Sequence, residues 1–150
     1  MDIVRMVQRL YAAFGRGDIE TIVRACDPDV VWISNADPAL LPFGGEHRGP
    51  EGVRSFFREL AASLDTDSYE PLQFFGGPDS VTVLGRSISR SKRTGDPFEE
   101  DWIHLFRIKN GKMTEFRLFH DTHALVQAHF GGDVHAVTIP ASETGEPVQH

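Results

Sequence analysis

Two runs rich in aromatic and branched residues, Phe98–Ile108 and Lys112–Phe119, flank Lys109-Asn110-Gly111. Apolar runs broken by such a turn predict a β-hairpin. A three-residue loop with Gly111 in the left-handed position sets Ile108 opposite Lys112. That register pairs Glu100 with His120, Trp102 with Leu118 and His104 with Phe116 on one face. The other face carries Ile103, Leu105, Met113 and Phe119. Both faces are largely apolar, so the hairpin needs two covers. A two-residue Asn110-Gly111 turn is the competing register; it moves Arg117 opposite His104 and mixes the two sets. The first register is preferred because it keeps the imidazoles together.

Upstream the period changes. Ile3, Val7, Leu10 and Phe14, with Val4 and Tyr11 beside them, recur at helical spacing up to Gly15-Arg16-Gly17. Asp18 can cap a second helix that turns Ile19, Ile22, Val23 and Cys26 inward and stops at Asp27-Pro28. Val30–Ile33 is a short strand, and residues 35–49, with two prolines and three glycines, form a loop. Gly49-Pro50-Glu51 opens a third helix with Val53, Phe56, Phe57, Leu60 and Leu64 as its buried side. Strands over Tyr69–Phe75 and Ser80–Ser91 then join the hairpin in an antiparallel meander, and Asp121 begins a short helix through Phe130. Helices first and strands afterwards predict an α+β fold, in which a curved, mostly antiparallel sheet wraps three N-terminal helices. Residues 1–130 form a single domain and 131–150 a polar C-terminal extension, where Val134–Ile139 could add an edge strand.

Composition narrows the partners. The 150 residues suffice for one core, and a formal net charge of −7 argues against nucleic acid or an anionic membrane surface. The one cysteine, Cys26, allows no internal disulfide. The first residues lack a signal peptide's apolar core and no later run reaches membrane length, so the expected compartment is the cytoplasm.

The order helix, Arg-Gly-Asp turn, helix, strand with tryptophan, Gly-Pro-Glu helix, meander, together with WIHLFRIKNGKMTEFRLFHDTHAL, resembles the SnoaL-like and ketosteroid-isomerase-like branches of the nuclear transport factor 2-like superfamily. The match runs from about Val4 to Gln127. The resemblance implies a cone with a cavity open at one end, dimerised through the outer face of the sheet; Ile103, Leu105, Met113 and Phe119 would form that face. Carried over residue by residue, the oxyanion-binding tyrosine of the isomerases falls on Leu10, with Tyr11 one residue away on a different helix side. Their proton-abstracting aspartate falls on Ser34 and their second hydrogen-bonding acid on His104. The cyclase branch matches His104, but its aspartate corresponds to Leu118. Ser34 is far too weak a base to replace a carboxylate. Neither mechanism transfers intact, and whether the chain is an enzyme stays open.

The candidate catalytic residues are His104, an imidazole between aromatics able to give or take a proton; His120, which could pair with Glu100 or be a solvated strand-end pair; and Asp121, an acid beside the cavity or a helix cap. Trp32, Trp102, Phe56, Phe116 and Leu118 are expected as apolar walls and Ser34 as a positioning group. Asp37, a carboxylate in the loop at the expected cavity mouth, is either a stand-in for the missing base or a turn aspartate. His120, His123 and His129 do not share a helix face, so no metal site is expected, and no cofactor. Three functions remain: proton-transfer catalysis (isomerisation, cyclisation, dehydration or hydrolysis) on a small apolar oxygenated molecule with His104 as acid/base, non-catalytic ligand binding in the same cavity, or a dimeric interaction domain whose cavity its own side chains fill.

Overall fold

A computed structural model describes residues 2–131. Helices α1 (Ile3–Gly15) and α2 (Ile19–Arg24) lead into β1 (Cys26–Ser34), β2 (Gly45–Arg48) and α3 (Gly49–Ser63). The meander β3 (Leu64–Gly76), β4 (Ser80–Ser91), β5 (Pro97–Lys109) and β6 (Lys112–Phe119) follows, and α4 (Thr122–His129) closes the order. The strands form one curved, unclosed sheet in the order β2-β1-β6-β5-β4-β3, antiparallel except where β1 runs parallel to β6. The class is α+β, as the pattern predicts. The C-terminal extension lies outside the described residues. No helix among the described residues is long and apolar enough to cross a membrane.

Helices α1, α2 and α4 each start where an aspartate side chain accepts from a free amide. Asp2 accepts from Arg5 N, and Asp18 from Thr21 N at 3.2 Å. Pro50 occupies the first turn of α3, where its missing N–H costs nothing. Three boundaries differ from the sequence reading. Cys26 opens β1 instead of ending α2, Leu64 opens β3 instead of ending α3, and the 35–49 loop contains β2, whose four residues pair with Val31–Ser34. Pairing to an existing strand overrides the weak local signal of a Gly/Pro-rich stretch.

The hairpin register is neither of the two expected. Asn110 and Gly111 both have positive φ, 52° and 76°, so the turn is the two-residue kind, with Lys109 opposite Lys112 and Ile108 opposite Met113. A bulge beyond Ile108 then shifts the pairing by one, so Phe106 faces Phe116 and His104 faces Leu118. Turn and bulge together move the expected register by two residues, an even number, and side chains keep their faces. Phe98, Glu100, Trp102, His104, Phe106, Phe116 and Leu118 all point into the cone. Met113 is corrected: it sits on the near side of the bulge and is fully buried. Ile103 and Phe119 remain outside, joined by Leu72, Phe75 and Ile88 as exposed apolar residues.

Strand β4 changes character halfway along. Its inward positions run Val81, Val83, Gly85, Ser87, Ser89, Ser91, from branched to small. Gly85 pairs with Trp102, and a Cβ there would lie 2.1 Å from the indole. The ring therefore lies where a side chain would be. Gly85→Ala is expected to push Trp102 off its rotamer and destabilise by about 1–3 kcal/mol, the usual cost of overpacking, and Trp102→Leu in the same chain to recover part of the loss. Urea unfolding of the two variants checks this; an unchanged midpoint in Gly85→Ala would contradict it.

Candidate active site

The cone encloses a cavity of about 80 Å³, room for several waters where about 10–15 Å³ holds one. Its wall is mostly aromatic. Trp32 stacks on Phe116 with centroids 4.0 Å apart, Trp102 on His104 at 4.0 Å, and Tyr69 on Trp102 at 4.8 Å. Phe56 and Leu118 also line it, so every apolar wall residue expected from sequence is in place. Among the described residues no Arg or Lys lines it.

His104, on β5, is buried and held between two tyrosines. Tyr11 Oη lies 2.7 Å from its Nδ1 and Tyr69 Oη 3.3 Å from its Nε2. Burial, and secondarily His120 nearby, hold this imidazole's pKa well below the usual value, so the ring is neutral around pH 7. Burial likewise raises both phenols, helped at Tyr11 by Tyr69 and at Tyr69 by Glu100. A neutral imidazole offers one N–H and one lone pair. The shorter contact suits Tyr11 donating to Nδ1, with Nε2–H donating to the Tyr69 oxygen; Tyr69 then keeps its own hydroxyl proton to give. The reverse tautomer frees the proton of Tyr11 instead. Either way, one tyrosine in the cavity wall is left as a donor.

His120 sits at the end of β6, and its Nδ1 is 2.8 Å from Glu100 Oε1 on β5. The pair is buried, with 6% of each side chain exposed, which corrects the solvated strand-end reading. The even register shift keeps Glu100 inward but takes His120 off its rung and past the last ladder pair, Ile103 with Phe119, and the two side chains still meet across the offset. Among the described residues, four buried polar atoms of the lining have no hydrogen-bond partner: His120 Nε2, Glu100 Oε2, Trp32 Nε1 and Trp102 Nε1. Buried polar groups are ordinarily paired. Two N–H donors, a carboxylate oxygen and an imidazole nitrogen without partners, in one apolar cavity, describe a site built to receive polar atoms of a ligand.

Two expected site residues instead serve the backbone. Ser34 Oγ accepts from Ala36 N at 3.2 Å, and Asp121 Oδ1 caps α4 by accepting from Ala124 N at 3.1 Å; neither lines the cavity. Asp37 Oδ1 accepts from Ala39 N in its own turn. Tyr11 and Tyr69 were missed. The separation of Tyr11 from the site is corrected: Val7, Tyr11 and Phe14, spaced four and three apart, form one helical stripe, and that spacing was the available signal. Among the described residues no group of three or more His, Cys, Asp or Glu could hold a metal ion. Cys26, its thiol pushed up to about 12 by burial, donates to Ile22 O.

A profile of the SnoaL-like domain matches residues 7–116. The chain belongs to the SnoaL-like family. No curated protein is significantly similar to it. Among solved structures, this SnoaL-like protein is similar to an NTF2-like protein of Burkholderia xenovorans, with 31% identity over 84% of this chain and 94% of the other and a TM-score of 0.75. It is also similar to TerC co-crystallised with polyporic acid, with 25% identity over 85% and 97% and a TM-score of 0.76. A SnoaL-like polyketide cyclase homologue of Mesorhizobium loti, 18% identical over 79% and 98% with a TM-score of 0.66, shares the fold.

Burial of His104 has a consequence for stability. Unfolded histidine titrates near 6.5, and the folded group well below. Between those values the unfolded chain binds the extra proton, so stability is complete above about pH 6.5 and falls as pH drops below it. The urea midpoint is expected to decline from pH 8 to pH 5.5, with a shallower slope in His104→Gln. Equal slopes in the two proteins would show that another group carries the effect.

Proposed function

We propose that this SnoaL-like protein is an enzyme that moves a proton within a small, flat, oxygenated and otherwise apolar molecule. The observation that carries this reading is the buried Glu100–His120 pair, whose outer nitrogen, His120 Nε2, has no partner among the described residues. With the imidazole proton on Nδ1 and directed at the carboxylate, Nε2 presents a lone pair to the cavity, and the carboxylate stabilises the imidazolium formed when it takes a proton. The negative charge left on a substrate oxygen would be met by the Tyr69 hydroxyl and by the indole N–H groups of Trp102 and Trp32. Returning the proton from Nε2 to another atom of the substrate completes an isomerisation; loss of a hydroxyl or attack at a second carbon gives dehydration or cyclisation.

In this reading His104 is not the acid/base. Both its nitrogens face tyrosines and burial opposes its protonation, so its part is to fix Tyr69 as a donor. The ring-shaped, oxygen-bearing ligand class is supported by the stacked walls and by TerC's complex with polyporic acid. Stacking needs a flat partner, and with the Glu100 carboxylate in the wall and no Arg or Lys among the described lining residues, the cavity offers no fixed cation for a phosphate or carboxylate. The single buried cysteine is consistent with our placing it in the cytoplasm.

Native mass spectrometry of freshly purified protein is expected to show a bound small molecule that is lost on denaturation. With that compound as substrate, His120→Gln should lower turnover by about 10²–10⁴, the usual share of a general base, while binding persists. Wild-type turnover in His120→Gln would sink the base assignment; binding with no turnover in the wild type would leave a ligand carrier.

We also propose a homodimer through the outer sheet face. Ile88, Ile103, Phe119, Leu72 and Phe75 are all more than a third exposed there, a set of large apolar side chains that soluble monomers rarely leave open. Sedimentation at micromolar concentration is expected to give twice the chain mass, and Ile103→Glu to halve it.

A further inference from the structure

The proposed base is the first residue after β6, beyond the last rung that joins β6 to β5, Ile103 with Phe119. Its backbone is held from the other side of the strand. Strand β1 pairs with β6 as far as Ser34 with Leu118, and Asn35 N donates to Leu118 O at 3.0 Å. There β1 ends, yet the ladder gains one more rung from a side chain. The Asn35 carboxamide accepts from His120 N through Oδ1 at 2.8 Å and donates to His120 O through Nδ2 at 3.2 Å. A carboxamide has the donor and acceptor of a peptide group, so one asparagine replaces the missing strand residue. The chain is thereby free to leave the sheet: Ser34 Oγ takes Ala36 N, and the loop that follows sets Phe43 5.7 Å from the His120 ring.

We propose that Asn35 is the positioning residue of His120. This rests on the reading of His120 as base. The Glu100 carboxylate fixes one atom of the ring; a single hydrogen bond leaves the ring free to pivot about it. Fixing the backbone on both its polar groups removes that pivot and so determines where Nε2 points. Asn35 itself is exposed and outside the cavity wall. Misplacement of a reacting group by about 1 Å can cost about a hundredfold in rate, so an exposed residue with no ligand contact is tied to turnover.

The test is ¹⁵N NMR of the histidine rings, which reports which imidazole nitrogen carries the proton. In the wild type, His120 is expected as the Nδ1–H tautomer facing Glu100. Asn35→Ala, which removes both bonds, is expected to keep its backbone amide spectrum away from residues 34–36 and 118–122 while His120 becomes a mixture of tautomers. Asn35→Asp keeps the acceptor and loses the donor, and should fall between. With the compound recovered from the native protein, Asn35→Ala should lower kcat ten- to a hundredfold with KM within about threefold. An unchanged His120 ring signal and kcat in Asn35→Ala overturns the proposal, as does unfolding of both variants, which would make Asn35 a residue of the fold. A wild-type His120 carrying its proton on Nε2 overturns the base reading instead, whatever Asn35→Ala does.

Discussion

A carboxylate and an imidazole 2.8 Å apart, both shut away from water, are the constraint around which this molecule is arranged. Removing two such groups from solvent is expensive unless each keeps its partner in good geometry. The partners come from two strands, so the hairpin must be held in one register. The cover comes from Trp102 and the aromatic wall on one side and from Phe43 in the 35–44 loop on the other. Gly85 is part of the same arrangement, because only a glycine lets the Trp102 ring lie flat on the sheet beside the pair.

Much of this architecture is written in local patterns. Helix starts follow from Asp18 and Pro50, and the four-strand meander from turn residues between apolar runs. The hairpin shows where such reading stops. Its face assignments are correct for Glu100 through Phe106 even though each rung is displaced, because faces depend only on whether a shift is odd or even. Met113 fails for the same reason: it lies before the bulge, where parity is reversed. A bulge comes from twist accumulated against neighbouring strands, and no residue in Lys112–Phe119 announces it. The added edge strand β2 is similarly invisible, since Gly45–Arg48 is extended only because β1 is beside it.

The site divides along the same line. Wall residues Trp32, Trp102, Phe116 and Leu118 are legible because size, hydrophobicity and strand parity decide them. Tyr69 and Tyr11 are less so, since their role depends on reaching one imidazole across 35 and 93 residues of chain. Ser34 and Asp121 mislead in the opposite sense. Short polar side chains bond to their own neighbouring amides wherever geometry allows, and that local bond wins over a distant ligand. The carboxylate that faces the cavity is therefore one in mid-strand, Glu100, and not one near a turn.

The serine rungs of β4 bear on how such a protein diversifies. Ser87 and Ser89 border the cavity through side chains of a few atoms, on a strand whose backbone is paired on both edges. Ser87 shares its rung with Tyr69 and Glu100, but Ser89 lies opposite Thr66 and Phe98, so adding or removing a carbon at Ser89 reshapes the chamber without touching the dyad, the tyrosines or the ladder. Gly85, two residues before Ser87, is closed to such change by the indole against it. One strand thus joins a locked position to an adjustable one, so a descendant could change the shape of the chamber by a single substitution while the Glu100–His120 pair stays as it is.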